Sequence, residues 1–550
     1  MLEFETAHSI VQRHAEATPD RLFLSQPLDG EVRDWTYAEA MSDAARLANG
    51  LLQSGLQPGD RVALLSKNCA EWIISDLAIA MAGLISVPIY PTAGHDTITY
   101  VMQHSEAKAI IIGRLEDPSV VENAFTSDVR TIGMRYPTVG CGLSFRDLID
   151  ANGPLGEVND PAPDETMTIL YTSGSTGKPK GVVLTYSAYH YACAACVEVY
   201  RISDKDRILS YLPLAHITER AASVGPALYS ATPMYFVDKL DTFVADLKRA
   251  RVTMFISVPR LWVQFQAGVH RKMPAKKLSL LLKIPFLGKS VAKKIREELG
   301  FGDCYQFGSG SAPISPATLR WYERIGIPIS EGWGMSETTG LACTNLPFRS
   351  AAVGSIGRPL PGTEMKISEE GEILIRSPGL MKEYHKMPEL SAEVFTEDGF
   401  FHTGDKGEWD KRLEAFRITG RVKDQFKSAK GKYVSPVPIE GKLGGNPLIE
   451  QVCVMGTGLR APVAVVVPSI SSSGESEKVI HDSLLATLES VNSTLEGHEK
   501  LSHLVLVKEA WTIENELLTP TMKIKRDQLE EKYAKDIADL GSDPVVWLDK

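Results

Sequence analysis

Two kinds of apolar pattern alternate along the first third of the chain. Residues 37–55 carry apolar side chains at helical spacing, and the short β-type runs RVALLS, ISVPIY and KAIIIG follow, with an apolar helix over 72–81 between the first two. Strands that alternate with helices predict a largely parallel sheet covered on both faces. The pattern resumes at MTILYTS, so the chain is predicted to be an α/β protein.

The second part of the chain has a different sequence pattern. From about residue 360 it is rich in β-type runs that proline and glycine punctuate, and after Lys423 a unit of βαβ-like character begins. A chain of 550 residues is too long for one ordinary core. We therefore expect a large N-terminal domain over 1–422, made of parallel βα layers plus a β-rich subdomain, and a small α+β domain over 423–550.

Charge and cysteine content exclude some classes of protein. The net charge is −10, from 59 basic and 69 acidic residues, which argues against a general nucleic-acid binder. Seven scattered cysteines are no disulfide framework and indicate a reducing compartment. Cys193 and Cys196 form a CxxC in an apolar helical stretch, where two buried side chains are expected and a redox or metal role is the alternative. No signal peptide is evident at the start, so a cytoplasmic location is expected.

One segment, 267–300, combines many lysine and arginine residues with leucine, isoleucine and phenylalanine. Its pattern is typical of a solvated amphipathic helix pair on the surface. The alternative is a peripheral contact with the inner face of a membrane, through anionic lipid.

The segment 171–182 carries the clearest chemistry. A β run leads into three glycines, several hydroxyl side chains and the lysines Lys178 and Lys180. Glycines allow close backbone approach to a ligand, and the donors suit the oxygens of a triphosphate; a plain surface turn is the alternative. It is not a Walker loop, because Pro179 follows Lys178 where that motif requires serine or threonine.

This segment resembles the signature of adenylate-forming enzymes, such as acyl-CoA synthetases. The resemblance continues in order through LPLAHITER, GSGSAPIS, SEGWGMSETTG, FFHTGD, ITGRVKDQFKSAKGKYVSP and LTPTMKIKR, and so spans nearly the whole chain. It implies ATP, Mg²⁺ and coenzyme A as co-substrates and metal. It also implies that the small C-terminal domain rotates about a hinge at Lys423.

The resemblance assigns roles residue by residue. A lone carboxylate, Asp405, suits two ribose hydroxyls, with a structural cap as the alternative. The carboxylate of Glu337 is a hard oxygen ligand that suits Mg²⁺. The implied catalytic residues are Lys523, Glu337 and His216. The implied cofactor-binding residues are Thr172, Ser173, Gly174, Ser175, Thr176, Gly177, Lys180, Ser311, Ala312, Glu331, Gly332, Trp333, Ser336, Asp405 and Arg421.

The expected activity is ATP-dependent acid:CoA ligation through an acyl-adenylate. Within the family, the motifs look most like those of long-chain fatty acid:CoA ligases, and a medium- to long-chain fatty acid is the expected substrate. One departure is the hairpin WDKRLEAFRI, which lacks the glycine usual at its turn. The alternatives are activation of an aromatic or branched acid, transfer to a carrier-protein pantetheine, and a non-catalytic nucleotide or acyl sensor.

Overall fold

The computed structural model describes residues 3–136, 140–172, 178–427, 432–469, 476–513, 515–519, 523–538 and 540–548. Its α-helices are α1 Ala7–Ala17, α2 Tyr37–Gln53, α3 Ala70–Met81, α4 His95–Ser105, α5 Phe145–Ala151, α6 Tyr186–Tyr200, α7 Ile217–Glu219, α8 Gly225–Tyr229, α9 Phe243–Ala250, α10 Pro259–Lys272, α11 Ala275–Leu282, α12 Leu287–Glu298, α13 Pro316–Arg324, α14 Pro388–Glu393, α15 Pro436–Leu443, α16 Glu477–Asn492 and α17 Arg526–Ile537. A π-helical turn, Arg220–Val224, joins α7 to α8, and 3-10 turns occupy Pro118–Val121, Leu240–Thr242, Ser336–Thr338 and Ser350–Ala352.

The strands of the first half are β1 Leu22–Leu28, β2 Glu31–Thr36, β3 Arg61–Leu65, β4 Ile85–Ile89, β5 Ala109–Ile112, β6 Arg130–Gly133, β7 Leu143–Ser144, β8 Thr166–Thr172, β9 Lys180–Thr185, β10 Ile208–Ser210, β11 Met234–Phe236, β12 Met254–Ser257 and β13 Gln306–Ser309. Those of the second half are β14 Ile329–Met335, β15 Gly340–Thr344, β16 Arg358–Pro359, β17 Glu364–Ile367, β18 Glu372–Arg376, β19 Glu383–Tyr384, β20 Phe401–Asp410, β21 Ala415–Arg421, β22 Phe426–Lys427, β23 Tyr433–Val434, β24 Ile449–Met455, β25 Val463–Pro468, β26 His503–Leu506 and β27 Val545–Trp547.

The largest sheet has eight strands in the order β19-β9-β8-β4-β3-β5-β6-β7. The strands from β8 to β7 are parallel, whereas β9 and β19 are antiparallel at one edge. The capping box of Thr36 and Glu39 starts α2, and the apolar α3 beside it is buried along nearly its whole length. The α/β prediction is confirmed, with an antiparallel edge that the sequence pattern did not predict.

Three smaller sheets complete the N-terminal part. Their orders are β10-β11-β1-β2, β12-β13-β14-β15-β16 and β17-β18-β20-β21. The last is an antiparallel meander, as the β-rich texture after residue 360 predicts. Its β20–β21 hairpin closes without glycine because Glu414 adopts the left-handed conformation, with φ 46°.

The C-terminal part forms a sheet of its own, in the order β24-β25-β26-β27. Strands β25, β26 and β27 are parallel, with α16 and α17 as the crossovers, which confirms the βαβ prediction. The sequence pattern did not predict β27. Among the described residues, each buried apolar cluster lies wholly before residue 402 or wholly after residue 425.

Two narrower expectations concern helices. The surface helices predicted over 267–300 are present as the end of α10 followed by α11 and α12, and Cys193 and Cys196 are buried in α6. Within the described part of the chain, no helix combines the length and apolar character that crossing a bilayer requires.

Candidate active site

The lysine-rich loop connects two paired strands. Thr172 at the end of β8 pairs with Lys180 at the start of β9, so residues 173–179 join the two strands at this edge. The predicted contacts of Ser173, Gly174, Ser175, Thr176 and Gly177 lie outside the described residues. The Lys180 ammonium lies 5.1 Å from the ring centroid of Tyr384, within cation–π range.

A tight turn presents Glu337 beside that ring. Strand β14 runs into the turn that Ser336 opens and returns as β15; a side chain at Gly334 would place its Cβ 1.7 Å from the Gly340 carbonyl oxygen. Glu337 is buried, and the Tyr384 hydroxyl donates to its Oε1 at 2.8 Å. Tyr384 therefore links Lys180, on the loop side, to Glu337, on the turn.

The Asp405 carboxylate is held from two sides. In the β20–β21 register Asp405 faces Arg421, whose Nε donates to Oδ1 at 2.8 Å, and the Trp333 indole Nε1 donates to Oδ2 at 2.8 Å. The pKa of Arg421 is raised, chiefly by the charge of Asp405. A carboxylate offers about four acceptor positions, so each oxygen keeps one for a further donor such as a ribose hydroxyl.

Lys523 comes from the C-terminal part and reaches the same place. The pKa of Lys523 is lowered overall, mainly by burial and also by the charge of Arg421. The charges of Asp405 and Glu337 oppose this shift only in part. The backbone around Lys523 is held by Thr519, whose Oγ1 accepts from the Lys523 N–H at 3.1 Å. Among the described residues, no hydrogen-bond or ion-pair partner is found for its ammonium group.

His216 is the residue that caps the start of α7. Its Nδ1 accepts the Thr218 N–H at 3.1 Å, which places the ring proton on Nε2. Burial, with a contribution from the charge of Lys523, lowers the pKa of His216 to about 3. The imidazole is therefore neutral, within range of the Lys523 charge.

The glycine-rich segments 308–312 and 332–333 lie against each other. A Cβ on Gly310 would be 3.2 Å from the Gly332 carbonyl oxygen. Ser311 adopts a left-handed conformation, with φ 67°, and its hydroxyl is 3.0 Å from that of Thr218. Ala312, the next residue, is exposed. Together the two segments, which include Trp333, form a surface suited to a flat ring.

Two predicted residues lie outside this arrangement. The Glu331 carboxylate accepts the Gly354 N–H at 2.7 Å, and burial raises its pKa to about 8. Lys423 is exposed in the turn after β21. We refer to the others that the structure brings together as the site cluster: Lys180, His216, Ser311, Trp333, Glu337, Asp405, Arg421 and Lys523.

A cleft leaves the site cluster beside Trp333 and Ser311. It encloses about 600 Å³, part of it open to solvent, and its far walls include Tyr200, Met254 and Ile256. A neighbouring space of about 290 Å³, also partly open to solvent, shares these three residues and Ala222 with it. The cleft is mostly apolar at the end away from the cluster.

Tyr384 and Thr218 are the site residues that sequence reasoning missed. Each acts by holding a predicted residue: Tyr384 holds Glu337, and Thr218 holds both His216 and Ser311. Thr218 lies within the LPLAHITER motif and could have been proposed from it. Tyr384 carries no sequence signal, because it is far from Glu337 in the chain and belongs to a strand of two residues.

A carboxylate suited to ribose, a glycine- and lysine-rich loop and a further lysine from the C-terminal part indicate a nucleotide-using enzyme. The chain belongs to the AMP-binding enzyme family, whose profile matches residues 11–385, and the AMP-binding enzyme C-terminal domain matches residues 423–543. It is thus an adenylate-forming enzyme of the acid–thiol ligase class, for which ATP and coenzyme A are co-substrates and Mg²⁺ is the metal.

Similar proteins include curated enzymes and solved structures. A long-chain-fatty-acid–CoA ligase of Mycobacterium bovis, FadD15, is 28% identical and aligns over 97% of both chains. Fatty acyl-CoA synthetase A of Dictyostelium discoideum is 30% identical over 93% of this chain and 86% of its own. The carboxylic acid reductase A domain from Segniliparus rugosus, in complex with AMP, superposes with a TM-score of 0.80 at 22% identity, over 98% of this chain and 94% of that one.

The residues present fit Mg²⁺. Among the described residues, no group of three histidine, cysteine or carboxylate side chains could hold a metal by itself. Mg²⁺ is usually bound through one or two carboxylates plus substrate phosphates, so the buried Glu337 is sufficient as the protein's ligand.

Proposed function

We propose that this enzyme activates a medium- to long-chain fatty acid as its acyl-adenylate and transfers the acyl group to coenzyme A. The observation that carries the proposal is the apolar cleft that starts at Trp333 and Ser311 and ends at Tyr200 and Met254. Burying an acyl chain there would stabilise binding by about 0.8 kcal/mol per methylene. Relatives named as long-chain CoA ligases support the same substrate class.

The apolar lining of the cleft favours acids with long alkyl chains over short ones. Tyr200, Met254 and Ile256 stand between the cleft and the neighbouring space, and line both. Methionine is unbranched and adapts its shape to its neighbours. Rotation of Met254 would join the two spaces, so that a long chain would extend past Tyr200.

The first step joins the acid to AMP. A carboxylate oxygen of the acid attacks the α-phosphorus of ATP, the new O–P bond forms, and the bond to pyrophosphate breaks. Lys523 would neutralise the two anions that meet, and Arg421 and the loop lysines would hold phosphate oxygens. Asp405 would fix the ribose. Positioning and charge stabilisation supply most of the rate. Bound at Glu337, Mg²⁺ would neutralise the phosphate charge.

The second step requires room for a thiol. The sulfur of coenzyme A attacks the acyl carbonyl, the thioester forms and AMP leaves with the bonding electrons. We propose that the domain over 423–550 rotates about Lys423 between the steps, withdrawing Lys523. One contact across the boundary is the ion pair of Arg260 with Glu450 at 3.5 Å, and relative motion is the usual behaviour of domains within a chain unless their interface is large and apolar.

The test is ATP–pyrophosphate exchange with a panel of saturated, branched and aromatic acids, followed by thioester formation with free coenzyme A. Saturated acids of medium to long chain are expected to give the highest kcat/KM. Preference for an aromatic or branched acid would contradict the substrate class. Exchange without a free-CoA thioester, but with loading of a carrier-protein pantetheine, would contradict the acceptor. No exchange with any acid would favour a non-catalytic sensor.

A further inference from the structure

Helices α11 and α12 with their connection, residues 275–298, form a surface that we call the basic tip. The tip contains seven lysine or arginine residues against two glutamates, Glu297 and Glu298 at its end, although the whole chain has a net charge of −10. Five exposed lysines here have no ion-pair partner among the described residues: Lys276, Lys277, Lys283, Lys289 and Lys294. This face is therefore strongly positive on an acidic protein.

Apolar side chains project from the same tip. Phe286 is 86% exposed and Leu280 is 64% exposed, and Ile284 and Leu287 are also exposed. A phenylalanine that is almost wholly in water is unfavourable for a protein free in solution, since burying such a ring is worth about as much as burying a core residue. Four exposed apolar side chains within eight residues form a patch of the kind that marks an interaction surface, unlike an apolar side chain exposed singly.

The tip is a fixed structure that presents these side chains outward. Leu278, Ala292 and Ile295 are buried on the opposite side of the two helices, in the same apolar cluster as Trp262 of α10. At the start of α12, a Cβ on Gly288 would lie 2.7 Å from the Leu282 carbonyl oxygen, so the helices meet closely.

The connection between the helices is conformationally strained. Phe286 has φ 64°, a conformation that is costly for a bulky side chain. The tip thus holds its most exposed aromatic ring in place by a strained turn between two packed helices.

We propose that the basic tip docks on the surface of an anionic lipid bilayer. Phe286 and Leu280 would insert below the headgroups while the lysines pair with lipid phosphates, a combination of apolar and cationic groups that matches a membrane interface. A nucleic acid would use the lysines but leave the apolar side chains unpaired. The tip packs on the layer next to the proposed acid cleft, because Phe255 contacts Trp262 while its neighbours Met254 and Ile256 line the cleft.

Flotation of the full-length protein with vesicles tests the docking. The protein is expected to bind phosphatidylcholine vesicles that contain phosphatidylglycerol, to bind pure phosphatidylcholine much more weakly, and to be released by salt. Phe286→Ser should weaken binding about ten-fold. Leu240→Ser is the matched control, because Leu240 is 88% exposed but lies beside Asp238 and Asp241. Equal effects of the two substitutions would overturn the proposal.

The lysines provide a second, independent measurement. Lys276→Ala with Lys277→Ala should weaken binding by about five-fold per charge removed. The same pair of substitutions at the exposed Lys205 and Lys478 should not. Circular dichroism and exchange activity with a short, water-soluble acid should be unchanged in all variants, which separates docking from folding.

Three results would overturn the membrane proposal. They are absence of binding to anionic vesicles at low salt, equal binding to vesicles without anionic lipid, and a dimer in solution that Phe286→Ser dissociates while vesicle binding is absent. Failure of the proposed substrate class would instead leave flotation intact and abolish exchange with fatty acids, so the two proposals fail separately.

Discussion

The two parts of the chain contribute to the site cluster in opposite ways. On the N-terminal side, Asp405 is fixed by Arg421 and Trp333, and Glu337 by Tyr384, each through a hydrogen bond of 2.8 Å. On the C-terminal side, Lys523 interacts with the same carboxylates only through longer-range charge. Asp405 and Glu337 are thus fixed by hydrogen bonds within the N-terminal part, and we call them the fixed wall. Lys523 is supplied to them by the C-terminal part.

The difference corresponds to the two steps of the proposed reaction. Nucleotide-holding groups are needed in both steps, so a rigid wall serves throughout. A lysine needed only for adenylation must be able to leave, and an ammonium that has no direct partner among the described residues costs little to withdraw from them. The separate apolar clusters on the two sides of residues 402–425 support the same interpretation.

The largest expected effect comes from removing Lys523, the group that we propose to be mobile. Lys523→Ala should lower ATP–pyrophosphate exchange by about 10³-fold, because one preorganised charge at the reacting oxygens is lost. Thioester formation from synthetic acyl-AMP and coenzyme A should change little, as should ATP binding. Lys525→Ala, two residues away, is the control. Equal losses in both half-reactions would break the comparison between a fixed wall and a mobile lysine.

Substitutions in the fixed wall should impair both half-reactions, unlike the loss of Lys523. Asp405→Asn keeps the shape but leaves Arg421 without its counter-charge, and should reduce kcat/KM for ATP by about 100-fold. Because the wall serves both steps, thioester formation from acyl-AMP should also suffer. Trp333→Phe, which removes one neutral donor to Asp405 and reduces the ring that lines the cleft, should cost about ten-fold. Thermal melts check that both variants fold. An effect confined to adenylation would contradict the division of roles.

Much of the fold could be predicted because its signals are local. Periodicity located α3 and the strands around it, and the βαβ unit after Lys423 followed from the same reasoning. The parts that were missed have little local signal: β19 has two residues and β27 has three, too few for a period. The antiparallel edge β8–β9–β19 depends on pairing between distant segments.

The site was predicted less directly. The triphosphate loop was readable as chemistry, whereas Asp405, Arg421 and Lys523 received roles only through the family resemblance. Their meeting results from the β20–β21 register and from the placement of the C-terminal part, neither of which residue spacing specifies. For Glu331 the motif position implies a cofactor contact, and the bond of its carboxylate to the Gly354 N–H is a contact that the motif does not indicate.

A smaller effect should come from Tyr384, which supports the wall. Tyr384→Phe removes the hydroxyl that donates to Glu337 but keeps the ring that faces Lys180. Exchange should fall about five- to ten-fold, with a higher apparent KM for Mg²⁺, since Glu337 is then less well oriented. Tyr433→Phe, at an exposed position, is the matched control. Unchanged dependence on Mg²⁺ would separate Glu337 from the metal.

The smallest expected effect, in the pH profile, distinguishes the mobile group most sharply. Only the protonated form of Lys523 can neutralise the meeting anions. Since burial and Arg421 lower its pKa from 10.5, the charge is lost as pH rises through a value below that of a free lysine. Adenylation should therefore decline on the alkaline side before pH 10.5, whereas the thioester step from acyl-AMP should not share that decline. In Lys523→Arg, whose guanidinium stays charged, residual exchange should lose the alkaline decline. An identical alkaline decline in the arginine variant would assign the titration to another group and remove the electrostatic basis for Lys523 as the transferable charge.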